Sequence, residues 1–326
     1  LTRVHDHSTG KYTNGFRMLT LCWSDGVSCL PADFALLSSA DASKRVCQAS
    51  KLMDRRCCAH QRRSEATVKA TEHLNDMVTR ALKTGLTAKY LLMDSWFTMP
   101  ATVSSLDDQI PVIGMVKKIR TVHYRFHGQS LDLMDIYRRL KKRPGRAKIL
   151  TSALVTLKDG LPCKLVFVRD RRTTDWLAIL STDIDLPDED IVRIYGKRWD
   201  IEVFFKMIKQ HLSLAKEIQC RDYDALIGHT SIVFMRYLFL AYHCRLSSDQ
   251  RSFGELFHAC CDEIKDISFV EALLRILSMT EERMKSISSF CSETINAFFY
   301  VVMDVALNTL GIVRSTSIDF SVNPES

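Results

Sequence analysis

Glycine and proline are scarce in this chain of 326 residues, at 12 and 7. An all-β architecture, whose many turns draw on both, is thereby excluded, and substantial helix is expected. The eleven cysteines include no C-x-x-C. The adjacent pairs Cys57-Cys58 and Cys260-Cys261 do not chelate one ion comfortably, which rules out zinc ribbons and fingers. Scattered and odd in number, the cysteines read as reduced, intracellular packing. There is no internal repeat, no low-complexity tract and no signal-peptide pattern in the opening residues. Ile295–Val313 is interrupted by Asn296, Asp304, Asn308 and Thr309 and suits a buried helix, while Ser231–Cys244 is short for a membrane span and holds Arg236. A cytoplasmic protein without a membrane partner is expected.

What is present is uneven charge. The net charge of +7 conceals a stretch, 114–150, with 11 Lys/Arg against 2 Asp, and another, 41–69, with 8 basic against 3 acidic residues. Residues 247–326 carry 6 basic and 12 acidic side chains. Two basic segments beside an acidic tail suggest a polyanionic partner, nucleic acid above all, with a solvated helix face as the alternative.

Gly15–Ser24 and Val27–Ser38 read as two strands joined at Asp25-Gly26, the second interrupted by Pro31. Residues 41–63 read as basic loop. From Ser64, the positions Val68, Thr71, Leu74, Val78 and Leu82 keep helical spacing as far as Gly85. Lys89–Met93 is a short apolar run suited to a buried strand that ends on Asp94. A helix is expected after Pro100 and a strand at Pro111–Lys117. Ile149–Leu157, Cys163–Arg169 and Trp176–Thr182 then form an antiparallel meander. Asp185 and Pro187 signpost a helix start, and helices are expected from about 222 onward.

The segment Tyr195-Gly-Lys-Arg198-Trp-Asp-Ile-Glu202 continues to Lys209. At about 100° per residue, Tyr195, Arg198, Glu202 and Lys209 lie at roughly 0°, −60°, −20° and −40°, in one narrow arc. Ile194, Ile201, Phe205, Ile208 and Leu212 form a separate stripe that would face a core. A carboxylate flanked by Arg, Lys and a phenol suits a metal-phosphate site, although an amphipathic helix with i,i+4 charge pairs has the same spacing.

Tyr-x2-Arg-x3-Glu-x6-Lys resembles the signature of bacterial insertion-sequence transposases of the DDE class, the type named for insertion sequence family four. Tyr90-Leu-Leu-Met-Asp94-Ser-Trp-Phe97 resembles that family's second-aspartate segment. Gly15–Thr20 and Asp33–Ser39 resemble the strand pair that precedes it. The resemblance covers about residues 1–245. It implies an α/β fold: an RNase H-like mixed sheet flanked by helices, with a β-rich insertion and a helical C-terminal region. The implied layout is a first core part at 1–115, a basic insertion at 116–185, core helices at 186–245 and an acidic helical region at 246–326.

The resemblance further implies cleavage at element ends and strand transfer into target DNA, with three carboxylates holding two Mg²⁺ ions (Mn²⁺ as substitute) about 3.5–4 Å apart. Asp94 would be the second carboxylate and Glu202 the third, both metal ligands. Tyr195, Arg198 and Lys209 would contact DNA phosphates, and Trp176 would stack on a flipped base, a strand Trp packed in the core being the alternative. Double-stranded DNA is the implied partner and a homodimer the active form. The first aspartate, which the family carries on a strand upstream of Gly15–Ser24, has no counterpart. Residues 1–14 read as polar loop, with Asp6 and Asp25 as weak stand-ins. A chain truncated at its start is therefore expected, and two functions remain: a transposase, or a remnant that binds DNA or inhibits a full-length partner. Lys141, Lys142 and Arg143 lie in the more basic stretch. Neutralising all three should weaken DNA binding and flatten its salt dependence in titrations at several salt concentrations; an unchanged slope would remove the electrostatic argument.

Overall fold

The computed structural model describes residues 1–6, 10–46, 54–145, 147–170, 173, 175–216, 218–220 and 222–246, and beyond these 273, 277, 280, 281, 283–285 and 292–309. The chain divides into two compact units, residues 1–250 and 251–326.

In the first unit, β1 (Thr2–Asp6) and β2 (Lys11–Gly15) form an antiparallel hairpin where a loop was expected. Its outer end is tied down: Val46 donates from its main chain to Leu1 at 2.8 Å, and Thr2 bridges to Arg45. β3 (Arg17–Ser24) and β4 (Cys29–Leu37) are the anticipated pair. Their register shifts between Leu21 and Cys22, opposite Asp33 and Pro31. An irregularity accommodates Pro31 there, since a proline cannot donate to a regular ladder.

The helix expected from Ser64 is instead two helices, α1 (Cys58–Glu65) and α2 (Ala70–Lys83). Gly85 adopts φ +87° just beyond α2, the left-handed conformation that ends a helix without a Cβ clash. Of the expected apolar positions, α2 buries Leu74 and Val78, with His73 and Met77 beside them, while Thr71 and Leu82 are half-buried and Val68 precedes the helix.

The main sheet has seven strands in the order β5-β6-β11-β10-β9-β7-β8. These are β5 (Leu91–Met93), β6 (Val112–Val116), β7 (His123–Phe126), β8 (Gln129–Asp132), β9 (Ile149–Thr156), β10 (Pro162–Arg169) and β11 (Trp176–Ser181). Only β5 and β6 run parallel; β6 pairs antiparallel with β11, so the meander is continuous with them in one mixed sheet. Leu165 and Phe167 enter one apolar cluster while Val166 and Val168 enter another. That period-2 alternation buries β10 on both faces, which explains its unbroken apolar run. α3 (Pro100–Asp107) follows β5, and α4 (Leu133–Arg139) is capped by Asp132, which accepts from the Asp135 main chain at 2.8 Å.

α5 (Asp188–Gly196) covers the second face with Ile191 and Val192. It starts after Pro187, whose carbonyl accepts the first bonds, rather than at Asp185, whose own N–H is held by Asp183. A 3-10 turn at Lys197–Trp199 leads into α6 (Asp200–Gln210), and α7 (Tyr223–Leu246) follows. α7 is long and apolar enough by composition to cross a membrane, yet it buries Tyr223, Val233, Phe234 and Tyr237. The Tyr223 hydroxyl donates to the carbonyls of Arg62 and Leu36, at 2.9 and 3.2 Å. In the second unit, α8 (Ser292–Thr309) buries Ile295 and Phe299, four residues apart. The rest of the expected acidic helical tail lies outside the described residues.

Basic residues of 41–69 are partly consumed internally. Arg63 pairs with Asp224 at 3.0 Å, and Arg62 lies 3.4 Å from Asp33. Arg80 donates to Asp33 at 2.7 Å and to Glu65 at 2.8 Å, so two largely buried acids share one guanidinium. Arg80→Met should cost about 2–4 kcal/mol in denaturant unfolding, somewhat less than the range of about 3–5 kcal/mol for a fully buried broken pair because Arg80 is one-third exposed. Fully buried His73 has no hydrogen-bond partner for either ring nitrogen among the described residues, and burial lowers its pKa below 6.5. The unfolded chain then takes up this proton first as pH falls, so the stability held by neutral His73 is full above 6.5 and lost below it. The unfolding free energy of His73→Leu should decline less than that of the wild type between about pH 7 and 5.

Candidate functional site

Asp94 follows β5 directly, and its main-chain carbonyl accepts from Phe97 N at 3.3 Å, Thr98 N at 3.2 Å and Thr98 Oγ1 at 2.7 Å. Its Oδ1 accepts the Trp96 N–H at 2.8 Å. The carboxylate therefore caps its own turn, which directs Phe97 toward the core and Trp96 outward. Thr98 packs on Gly114 of β6 so closely that a Cβ there would overlap Thr98 Oγ1 and lie 2.8 Å from Thr98 Cγ2.

The signature residues do not lie on one straight helix. Tyr195 lies in the last turn of α5, Arg198 sits in the 3-10 turn, and Glu202 and Lys209 lie on α6. The turn shifts the apolar stripe as well: Phe204, Ile208 and Leu212 are buried, whereas Ile201 and Phe205 remain partly exposed. Arg198 donates to Glu202 at 3.2 Å. The Tyr195 hydroxyl is buried without a hydrogen-bond partner among the described residues. Burial raises its pKa; the Arg198 guanidinium opposes that and the nearby Asp94 charge adds to it.

Asp94, Arg198 and Glu202 line a cavity of about 330 Å³. Its walls are β3, with Leu21 and Trp23, β5, with Leu91 and Met93, and the start of α6. Among the described strands, β3 pairs only with β4 and β5 only with β6, so each presents an unpaired edge. Trp23 of β3 reaches the segment that precedes β5, its Nε1 donating to the Thr87 carbonyl at 2.9 Å. Ser24 lies 3.5 Å from Asp200 and ties the hairpin to α6.

Other expected residues lie elsewhere. Lys209 is not among the cavity residues, and its ammonium sits 5.7 Å from the Phe205 ring centroid. Trp176 is half-buried, stacked on Tyr137 at 4.4 Å, with Phe167 edge-on at 5.2 Å and Lys118 Nζ 4.0 Å from its centroid. A base reaches it only by displacing one of these groups. Lys141, Lys142 and Arg143 are exposed; Lys142 Nζ donates to the Arg138 carbonyl and Arg143 lies 3.5 Å from Glu189. Asp25 is occupied by its turn: the N–H groups of Ser28 and Val27, and then Arg245, hold its pKa down to about 2. Asp6 ends β1 and is not among the cavity residues. Trp96, two places after Asp94 and exposed, carries no sequence signal beyond its place in the second-aspartate segment.

Residues 1–150 match the family model described as DDE superfamily endonuclease, just under half of the chain, including Asp94 but not Glu202. No curated protein and no solved structure matches the chain. The N-terminal part is thus similar to DDE superfamily endonucleases, and the seven-stranded mixed sheet with its helices is consistent with their RNase H-like fold.

Gly114→Ala should displace Thr98 and with it the turn that aims Asp94. A loss of about 1–3 kcal/mol in chemical denaturation is expected, as for overpacking elsewhere; Thr98→Ala in the same chain should recover part of it.

Proposed function

We propose that the chain is the core of a DDE-class transposase, acting on double-stranded DNA at insertion-sequence ends and at the target. One observation carries this reading: Asp94 after β5 and Glu202 on α6, distant in sequence, line one cavity with Arg198 between strand and helix. The similarity of residues 1–150 to DDE superfamily endonucleases supports DNA as substrate. Asp94 and Glu202 are the proposed catalytic carboxylates. Arg198, Tyr195 and Lys209 are the proposed phosphate contacts near the cut, and Lys141, Lys142 and Arg143 contacts to the DNA backbone. A homodimer in the bacterial cytoplasm is the proposed active form.

Mg²⁺, with Mn²⁺ as substitute, is the ion this class implies, but the donors present do not fit it as they stand. Among the described residues no three His, Cys, Asp or Glu side chains are grouped to hold an ion. Glu202 is moreover engaged by Arg198. Two carboxylates alone do not balance a two-ion site. The unpaired edges of β3 and β5, both of which line the cavity, support one remedy: a further strand pairing there could carry a third acid beside Asp94. The same deficit supports a second reading, a protein that binds DNA, or inhibits a complete transposase, without cutting.

Supercoiled-plasmid nicking with Mg²⁺ or Mn²⁺ separates the two. The first reading predicts nicking that Asp94→Ala and Glu202→Ala each abolish while duplex binding persists. Binding without nicking by the wild type favours the second, and nicking that survives both substitutions places the site elsewhere.

A further inference from the structure

Four tryptophans occur in the chain, and Trp96, two residues after the cavity carboxylate Asp94, is 68% exposed. Isolated exposed apolar residues are ordinary on protein surfaces, so exposure alone assigns nothing. Trp96 differs in three respects. Its main chain is fixed by the Asp94 carboxylate at 2.8 Å, within a turn that Thr98 also holds. Lys117, just after β6, places Nζ 3.6 Å from the ring centroid. The ring is thus held near a carboxylate that shares its cavity with Arg198. Trp199 is also exposed, at 57%, but no cation lies over its ring among the described residues.

The neighbouring lysine makes the contrast sharper. Lys118 sits over Trp176 and is ion-paired with Asp175 at 2.6 Å, and that tryptophan is already stacked on Tyr137. Lys117 makes no ion pair among the described residues, so its charge is available to a phosphate. An ammonium on one face of an indole leaves the other face of so exposed a ring open to solvent. A flat π-surface with an adjoining free cation is what an unpaired nucleobase and its phosphate require, and such stacking tolerates any base.

We propose that Trp96 and Lys117 form a platform on which an unpaired DNA base stacks beside Asp94. The platform rests on the DNA-binding reading above and deepens it: the preferred substrate is DNA with an extruded or unpaired base near the scissile phosphate. Asp94 acts on the ring as well as on the reacting phosphate, because the bond to its Oδ1 fixes where the platform stands.

The test uses the full chain and two duplexes identical but for one 2-aminopurine, paired in one and bulged in the other. The wild type should bind the bulged duplex about 5- to 100-fold more tightly and quench its fluorescence by stacking. Trp96→Ala should lose both the preference and the quenching while its affinity for the paired duplex stays within about twofold. Trp96→Phe should restore part of the preference, Lys117→Ala should reduce it, and Trp199→Ala should leave it intact. Thermal unfolding midpoints establish that each variant is folded. Preference retained in Trp96→Ala overturns the platform, and so does an equal loss on both duplexes, which would mark a general contact. Wild-type binding to paired DNA without preference for the bulge overturns the platform alone, whereas failure to bind either duplex overturns the DNA reading itself.

Discussion

The Asp94 carbonyl, gathering three donors from Phe97 and Thr98, is the point on which the site depends. That turn ends β5, aims a carboxylate into the cavity, sends Phe97 into the core and leaves Trp96 outside. It closes only because Gly114, one strand away, has no side chain to contest the space of Thr98. Gly114 lies on β6, which is held by β5 on one side and by β11 on the other, so the sheet interior sets the position of a surface carboxylate. Local hydrogen bonds fix the direction of the group, and long-range strand pairing fixes its location.

The second half of the site is built differently. Glu202 is carried by α6, whose orientation follows from the burial of Phe204 and Ile208 and from the 3-10 turn at Lys197–Trp199. Phe204 meets Phe234 and Tyr237 of α7 edge-on, at 5.3 and 4.8 Å, so the aromatic packing beneath α6 governs where Glu202 and Arg198 point. Tyr195 packs instead against the apolar cluster that holds Ile113, Ile191 and Val192. Of the four signature positions, Arg198 and Glu202 line the cavity, while Tyr195 and Lys209 are not among its residues.

Sequence made the meander readable because turn residues such as Lys158-Asp159-Gly160 mark its limits and because its apolar runs are dense; β9, β10 and β11 fall where they were expected. The β1–β2 hairpin carried no such signal, its residues being polar and its outer strand secured by distant Arg45 and Val46. The 3-10 turn in the signature segment was invisible because its flanking backbone stays in the helical region and preserves an approximate 3.6-residue period, whereas the break before α2 is made by extended Lys69, which has no distinctive turn residue beside it. Charge was the most misleading quantity: Arg62 and Arg63 swell the basic count of 41–69 yet face Asp33 and Asp224 within the fold. Glu202 stood out by its helical spacing from Arg198 and Lys209, whereas Asp94 was reached through resemblance, since a lone carboxylate after an apolar run has no periodic signature. The unequal exposure of Trp96 and Trp176 depends on which rings lie across the sheet, which no local window contains.

The strand order also bears on how the chain is made. β6 finds its second neighbour in β11, which begins at Trp176, long after β6 ends at Val116. At synthesis rates of about 5–20 residues per second, that interval lasts several seconds. Throughout it, an apolar strand destined for the sheet interior, one place in from the edge, leaves the ribosome with one edge open. Such edges pair readily with other extended chains, so the nascent protein passes through a stage in which a chaperone, or a slow approach of neighbouring copies, decides whether the sheet closes on itself.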